Sequence, residues 1–168
     1  YLVDVFQDVL FDTIYHEHMA YHAVGPLQRF FMRIGLELFA AERIPSHGGS
    51  LRGYVQKAEG PHSPDGTVDA LIEAEKQLGL DQSATLEEFG ARIDILRDRF
   101  KSQLTELADD GLSIAGYGAP AKATTLLHHF GIEPGTLDYI IDDSPLKQGL
   151  YSPGQQIPVV SSDILNEN

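Results

Sequence analysis

A strand, a glycine turn and the start of a helix follow one another in LSIAGYGAPAK, residues 112–122. The apolar residues before Gly116 favour a buried strand, and the spacing of Gly116, Gly118 and Ala121 matches Gly-x-Gly-x-x-Ala. Asp142 follows 21 residues after Ala121, at the end of a second predicted strand, as in dinucleotide-binding folds. The segment therefore predicts an α/β fold with a parallel sheet, Rossmann-like in the order of its elements.

The same turn offers candidate ligands for an anion. Free amides at a helix start attract negative charge, and Tyr117 and Lys122 lie within or directly behind the turn. Lys147 follows Asp142 in a polar loop at the carboxyl end of the second strand, the edge at which open parallel sheets bind ligands. We expect these four residues and the two glycines to contact a substrate. Such turns also occur in domains that bind no cofactor, and that alternative stays open.

The elements around this segment continue the α/β pattern. Residues 137–141 and 158–160 predict further parallel strands, and apolar residues at steps of three and four over residues 86–107 predict one long helix. Two prolines and two glycines within residues 59–66 predict a linker. We therefore expect a domain limit between residues 57 and 58.

Upstream of the linker, the pattern predicts a helix from Val24 to Gly35 and then a hairpin of two strands, residues 36–44 and 51–55. The hairpin loop contains His47, Gly48, Gly49 and Ser50. Two glycines after a histidine let backbone amides approach a ligand closely, so these four residues are candidate substrate contacts. A loop that simply needs positive φ is the alternative.

A phenol, a carboxylate and two imidazoles occupy four successive positions, Tyr15, His16, Glu17 and His18. They follow an apolar run, so we expect a short strand at residues 11–15 that leads into a partly exposed polar site. An imidazole titrates near neutral pH and a neighbouring carboxylate can orient it, which together make a general base. A surface turn rich in histidine is the other interpretation.

Composition disfavours several classes of function. The sequence has no Cys, and Ala20 stands where a His-Glu-x-x-His zinc helix needs its second imidazole, so no metal site is expected. The net charge of −13 disfavours nucleic-acid binding, because it repels phosphate backbones. No run of 18 apolar residues occurs, so no membrane span is expected. The lack of Cys and of a signal peptide predicts a cytoplasmic protein.

Four motifs in this order resemble one enzyme family. They are Phe11-Asp12-Thr13-Ile14-Tyr15-His16-Glu17-His18, His47-Gly48-Gly49-Ser50-Leu51-Arg52, Tyr117-Gly118-Ala119-Pro120-Ala121-Lys122 and Ile141-Asp142-Asp143-Ser144-Pro145. Over nearly its whole length, the chain is similar to the C-terminal part of the S-adenosylmethionine-dependent C-methyltransferases that act on nucleotide-linked keto-sugars, the sugar 3-C-methyltransferase family.

The resemblance implies a domain plan. Members of that family have a small N-terminal zinc-binding domain, a class I methyltransferase domain and a C-terminal Rossmann-like domain. By resemblance, residues 1–57 are the last strands and helices of the methyltransferase domain, and residues 58–168 are the Rossmann-like domain. The zinc-binding domain and the S-adenosylmethionine site of such enzymes lie upstream of residue 1. This chain alone is therefore expected to bind no cofactor and to be inactive.

The resemblance also implies a reaction. A methyl group passes from S-adenosylmethionine to the carbon beside the ketone of a nucleotide-linked 4-keto-sugar, through an enolate. The family's Tyr-x-Glu-His pattern falls on Tyr15, Glu17 and His18. His18 is expected to remove the proton, Glu17 to orient the imidazole or hold a sugar hydroxyl, and Tyr15 to donate to the enolate oxygen. A stand-alone nicotinamide- or nucleotide-binding module and a non-catalytic interaction domain are the other functions that the residues leave open.

Overall fold

The computed structural model describes residues 1–166. It contains both helices and strands, and the mixed α/β class predicted from the sequence is confirmed. The elements are α1 (Leu2–Gln7), α2 (Val24–Arg33), β1 (Leu36–Ile44), β2 (Ser50–Lys57), α3 (Thr67–Gln77), α4 (Ser83–Asp109), β3 (Ala115–Tyr117), α5 (Ala121–Phe130), β4 (Tyr139–Ile141) and β5 (Val159–Val160), with short 3₁₀ helices at Phe11–Thr13, Ser46–Gly48 and Ser162–Asn166.

The chain folds into two compact units. The first consists of Tyr1–Phe11 and His18–Arg92, and the second of Asp12–Glu17 and the chain from Ile93 onward. The polar segment that contains Tyr15 and Glu17 is thus part of the second unit, although it precedes most of the first in sequence. The limit expected between residues 57 and 58 concerns the domains of the family, and it stays a prediction.

A hairpin with two helices packed on it, α2 and α3, makes up much of the first unit, which also contains α1 and the start of α4. Strands β1 and β2 pair antiparallel as predicted, with a bulge between Leu38 and Ala40. Val24 of α2, Leu38 and Ala41 of β1 and Val68 of α3 form one buried cluster. Fully burying a side chain of this kind contributes about 1.5–3 kcal/mol, so the cluster holds both helices on the hairpin.

A buried carboxylate fixes the start of α2. Ala23, at the N-cap position, has no side-chain acceptor for the first amides of the helix. Glu75 of α3, only 6% exposed, accepts hydrogen bonds from the N–H of Val24 at 2.5 Å and of Gly25 at 3.0 Å. It also accepts the hydroxyl of Tyr1 at 2.7 Å, and burial together with that hydrogen bond raises the pKa of Tyr1. Glu75 therefore caps a helix to which it does not belong.

A parallel sheet in the order β3-β4-β5 forms the centre of the second unit. Helix α5 is the crossover between β3 and β4, as a parallel connection requires. Phe100 of α4 packs against Phe130 of α5 with ring centroids 5.9 Å apart. The predicted parallel sheet with flanking helices is confirmed.

The strand predicted over residues 11–15 is wrong, because the chain turns there. Val9 has a φ of 52°, and the N–H of Phe11 donates to the carbonyl of Val9 at 2.8 Å. Residues Phe11–Thr13 consequently form a 3₁₀ helix. The polar segment follows this helix and not a strand.

The strand predicted to start at Leu112 starts three residues later, at Ala115. Gly111 ends α4 with a φ of 76°, and the N–H of Leu112 still donates to the carbonyl of Leu107 at 3.1 Å. Leu112 therefore belongs to the end of the helix, and it is exposed and not buried.

Candidate active and substrate sites

The glycine turn is built as its sequence predicts. Gly118 has a φ of 89°, a conformation that favours glycine, and its N–H donates to the carbonyl of Ile141 at 2.7 Å. Pro120 occupies the N-cap position of α5. The turn thus joins the carboxyl end of β3 to a helix start, beside the carboxyl end of β4.

Asp142 ties this turn to the loop that follows β4. One carboxylate oxygen accepts the N–H of Ala119 at 2.7 Å and the ammonium of Lys147 at 3.0 Å, and the other accepts the N–H of Ser144 at 2.9 Å. These hydrogen bonds, first the one from Ala119, lower the pKa of Asp142 to about 2. The residue predicted to meet a ligand therefore already holds three donors of its own chain.

Gly116 allows close packing of two strands. A β-carbon at this position would lie 3.3 Å from Cγ1 of Ile140 and 3.6 Å from Cδ1 of Leu137. The first distance is tighter than ordinary van der Waals contact, so a larger residue would push β4 away from β3. The close packing of β3 on β4 therefore explains why a glycine occupies position 116, without a ligand.

Both lysines predicted to meet phosphate are paired with carboxylates. Lys122 lies 3.0 Å from Asp12, and Lys147 lies 3.0 Å from Asp142. An anion bound at the turn would have to share or displace these carboxylates.

Tyr117 is 69% exposed, and its hydroxyl donates to Asp143 at 2.9 Å. This hydrogen bond raises the pKa of the phenol. The ring extends from the end of β3 into solvent, where it could stack on a flat ligand group.

A cavity of about 330 Å³ lies next to the turn, inside the second unit. Its walls are mostly apolar and include Phe100, Leu104 and Ile140, whereas Asp12 and Lys122 are its charged lining residues. A mainly apolar cavity with a few polar groups is the usual form of a small-molecule site.

Tyr15 and Glu17 are brought together as a pair. The hydroxyl of Tyr15 donates to Glu17 at 3.0 Å, and the imidazole of His16 lies 3.9 Å from the other oxygen of Glu17. The rings of Tyr15 and His16 meet edge to face with centroids 5.6 Å apart. Tyr15 is half-buried and Glu17 is exposed, which makes the carboxylate accessible to a ligand.

His18 is exposed and belongs to the first unit, where its ring meets that of Tyr21 edge to face at 6.3 Å. The expectation that Glu17 orients the His18 imidazole stays a prediction. The hydrogen bond that the Tyr15 hydroxyl donates to Glu17 is a contact that the sequence did not indicate.

The hairpin loop takes the left-handed conformations that its glycines allow. His47, Gly48 and Gly49 have φ values of 52°, 83° and 127°, and the hydroxyl of Ser50 donates to the carbonyl of Ser46 at 2.9 Å. A loop that needs positive φ was one of the two interpretations of these residues, and it is confirmed. Whether the loop also contacts a substrate stays a prediction.

The backbone at Gly49 packs directly on a buried carboxylate. A β-carbon there would overlap the side chain of Asp4, which is 5% exposed and paired with Arg43. Asp4 and Arg43 also line a cavity of about 490 Å³ beside Gly48 and Gly49. Sequence reasoning missed Asp4 and Arg43, because they are 39 residues apart and no local pattern links them.

Two negative findings concern the described part of the chain. Within residues 1–166, His, Asp and Glu side chains form no group of three or more that could hold a metal ion. None of the helices in the same range combines the length and the apolar character needed to cross a membrane.

Comparison with known proteins identifies the family. Residues 45–168 match the family model of the C-methyltransferase C-terminal domain. This chain belongs to the C-methyltransferase family. C-methyltransferase NovU from Streptomyces niveus is 32% identical over 163 residues, which cover 97% of this chain and 39% of NovU. The predicted resemblance to the C-terminal portion of a C-methyltransferase is confirmed, and the chain spans well under half the length of this relative.

Membership of the C-methyltransferase family implies S-adenosylmethionine as the methyl donor. The glycine turn does not fit that cofactor well. In dinucleotide-binding folds the carboxylate at the end of the second strand accepts the ribose hydroxyls of the cofactor, whereas Asp142 already accepts two backbone amides and an ammonium. The glycine at position 116 is explained by the close packing of β3 on β4 and is no sign of a cofactor. We therefore place no S-adenosylmethionine site on this turn.

Proposed function

We propose that this chain is the C-terminal portion of a sugar C-methyltransferase of deoxysugar biosynthesis, acting in the cytoplasm. The enzyme would methylate the carbon beside the ketone of a nucleotide-linked 4-keto-sugar. Membership of the family supports the reaction class. The observation that carries the proposal is the hydrogen-bonded pair of Tyr15 and Glu17, because it presents a phenol and an exposed carboxylate directly before His18.

The reaction requires a general base and a hydrogen-bond donor at the ketone oxygen. A carbon beside a carbonyl becomes nucleophilic only as its proton leaves, and a general base contributes about 10²–10⁴-fold to such a step. In our proposal the imidazole of His18 takes that proton and the phenol of Tyr15 donates to the developing enolate oxygen. Glu17 orients the imidazole or holds a sugar hydroxyl. Tyr15 has a single hydroxyl proton, so its hydrogen bond to Glu17 would be exchanged for the one to the enolate oxygen when the sugar binds.

The nucleotide would occupy the second unit. The amides of the glycine turn at Gly116, Tyr117 and Gly118 are the candidate contacts for its phosphates, and Lys122 and Lys147 would then share their carboxylate partners with the ligand. The apolar cavity next to the turn could take a base or sugar face. His47, Gly48, Gly49 and Ser50 are the further substrate contacts that we propose in the first unit.

We also propose that the methyl donor is held by a part of the enzyme that precedes this chain. Residues 1–57 would then be the end of a class I methyltransferase domain and residues 58–168 a Rossmann-like domain, completed by an upstream cofactor-binding half and a zinc-binding domain. This chain alone should be inactive. Calorimetry of the 168-residue chain with S-adenosylmethionine should give no measurable heat of binding, and a micromolar Kd would show that the cofactor site is misplaced.

Titration with two nucleotides tests the substrate class. The intact protein is titrated with a thymidine diphosphate 4-keto-sugar and, separately, with NADH, while the amide signals of Gly116, Gly118 and Lys122 are followed by NMR. We expect shifts with the sugar nucleotide and none with NADH, because the ribose of NADH would need the carboxylate of Asp142.

Two results would contradict the proposal. Shifts with micromolar NADH and none with the sugar nucleotide would make the chain a nicotinamide-binding module. No response to either ligand would give the glycine turn a purely structural role and leave the sugar nucleotide without its proposed site.

A further inference from the structure

We propose that Lys122 is a positioning residue, which holds the segment Asp12–Glu17, and with it Tyr15 and Glu17, on helix α5 through Asp12. The ammonium of Lys122 lies 3.0 Å from the carboxylate of Asp12, and both residues belong to the second unit. The inference rests on the proposed function only in that Tyr15 and Glu17 are taken to be catalytic.

The position of Lys122 in the helix is the first argument. It is the second residue of α5, where the helix dipole makes a positive charge unfavourable. The sequence places no acidic residue in the first turn of α5 to offset it. Asp12, which is 110 residues away in sequence, supplies the missing negative charge next to the helix start.

A second contact holds the same segment from the same face of the helix. Thr125 lies three residues after Lys122, and residues at this spacing face the same way on a helix. Its hydroxyl donates to the carbonyl of Ile14 at 3.4 Å. The two contacts attach the segment at Asp12 and at Ile14, and Tyr15 follows directly after the second of them.

The surroundings of the ion pair strengthen the attraction between Asp12 and Lys122. Asp12 and Lys122 both line the cavity whose other walls are mostly apolar, and the Asp12 side chain is only 26% exposed. Charges attract more strongly where apolar groups exclude water. The pair therefore restrains the segment more than a pair in open solvent would.

Hydrogen–deuterium exchange and kinetics on the intact protein test this inference. The variants are K122M, D12N and the double variant, with T125V for the second contact and K76M as the control, since Lys76 is an exposed helical lysine of the other unit. We expect K122M and D12N each to raise amide exchange in residues 12–17 about five-fold, the loss that corresponds to about 1 kcal/mol of pairing. The double variant should exchange no faster than either single variant, T125V should raise exchange less, and K76M should not change it.

Kinetics separate positioning from phosphate binding. A positioning role predicts that K122M and D12N both lower kcat with a thymidine diphosphate 4-keto-sugar by about five-fold, and that K122R restores most of it. The proposed phosphate contact of Lys122 would add a rise of KM in K122M alone. If Lys122 had the phosphate role only, kcat would be unchanged in both variants, and KM would rise in K122M but fall in D12N, which frees the lysine. That opposite response, or unchanged exchange in residues 12–17, would overturn the inference.

The variants Y15F and E17Q test the proposed function separately. If exchange in residues 12–17 rises in K122M and D12N while Y15F and E17Q leave kcat unchanged, the segment is anchored but not catalytic. The positioning role is then overturned because the proposed function has failed. Large losses of kcat in Y15F and E17Q, together with unchanged exchange in K122M, would overturn the inference and leave the proposed function intact.

Discussion

At Asp142, one carboxylate accepts three donors from two parts of the second unit: the Ala119 amide of the glycine turn, and the Ser144 amide and Lys147 ammonium of the loop after β4. Hydrogen bonds from backbone amides to a carboxylate stabilise its charged form, which is why its pKa is low. The same contacts fix the position of the Ala119 amide and hence of the helix start. Asp142 is thus first of all a part of the scaffold of the candidate nucleotide site.

The low pKa of Asp142 predicts a pH-dependent contribution to stability. An aspartate in an unfolded chain has a pKa of about 3.9. The ionised form of Asp142 therefore stabilises the folded state above that pH, and this stabilisation is lost as the pH falls through the folded-state pKa of about 2. The unfolding midpoint of D142N should lie well below that of the wild type at pH 7, and the two should converge between pH 4 and pH 2. Urea unfolding of the wild type, D142N and the exposed control D109N checks this. A gap between wild type and D142N that stays constant over that pH range would contradict it.

Gly49 offers a residue-scale test of the hairpin loop. G49A places a methyl group on the Asp4 carboxylate and keeps a φ of 127° that alanine rarely adopts, so we expect a loss of about 3 kcal/mol in the free energy of unfolding. The control is G35A in the same unit, where φ is 75° and the added methyl group would meet open space. It should cost only about 1 kcal/mol, from the backbone alone. Equal losses in both variants would show that Asp4 does not pack on the loop.

At the scale of elements, α2 depends on α3 for its start. The amides of Val24 and Gly25 are capped by a carboxylate 51 and 50 residues further along the chain and not by a neighbouring side chain. The segment Asp12–Glu17 has the same kind of dependence on α5 through Asp12 and Ile14. In both cases a tertiary contact takes the place of a local signal.

Replacing Glu75 tests the cap of α2. E75Q keeps the size of the side chain but weakens two amide hydrogen bonds and the one from Tyr1, so we expect a loss of about 2–4 kcal/mol in the free energy of unfolding. E73Q is the matched control, because Glu73 is exposed on the same helix and accepts a long hydrogen bond of 3.3 Å from the side chain of Gln77. Thermal or urea unfolding measures both. A similar, small loss in the two variants would mean that α2 starts without its carboxylate cap.

At the scale of the whole molecule, the order of elements could be predicted because it follows from local patterns. Two strand-forming segments around a glycine-rich loop predicted the hairpin β1–β2, and apolar residues at helical spacing predicted α4. The glycine turn predicted the succession of β3, α5 and β4. The failures have a common physical cause. Residues 11–15 and Leu112 have the composition of a strand, but backbone hydrogen bonds to Val9 and Leu107 keep them in a turn and at a helix end.

The candidate site was predictable in its residue types and not in its pairing. Tyr15 and Glu17 stand out in the sequence, because titratable side chains in successive positions are typical of functional sites. The glycine turn stands out through the spacing of its glycines between a strand and a helix. The ion pairs Asp12–Lys122 and Asp4–Arg43 do not stand out in the sequence, because their members are far apart along the chain and meet only in the fold. Those pairings changed the interpretation of Lys122 from a free cation to one that already has a carboxylate.

Exchange of the substrate proton tests the central proposal most directly. The intact protein is incubated in deuterated water with a thymidine diphosphate 4-keto-sugar and no methyl donor, and loss of the proton beside the ketone is followed by NMR. The wild type should exchange this proton, and H18N should slow both the exchange and methyl transfer by at least about 100-fold, because one base serves both steps. Exchange at the wild-type rate in H18N would contradict the account and place the base elsewhere in the enzyme.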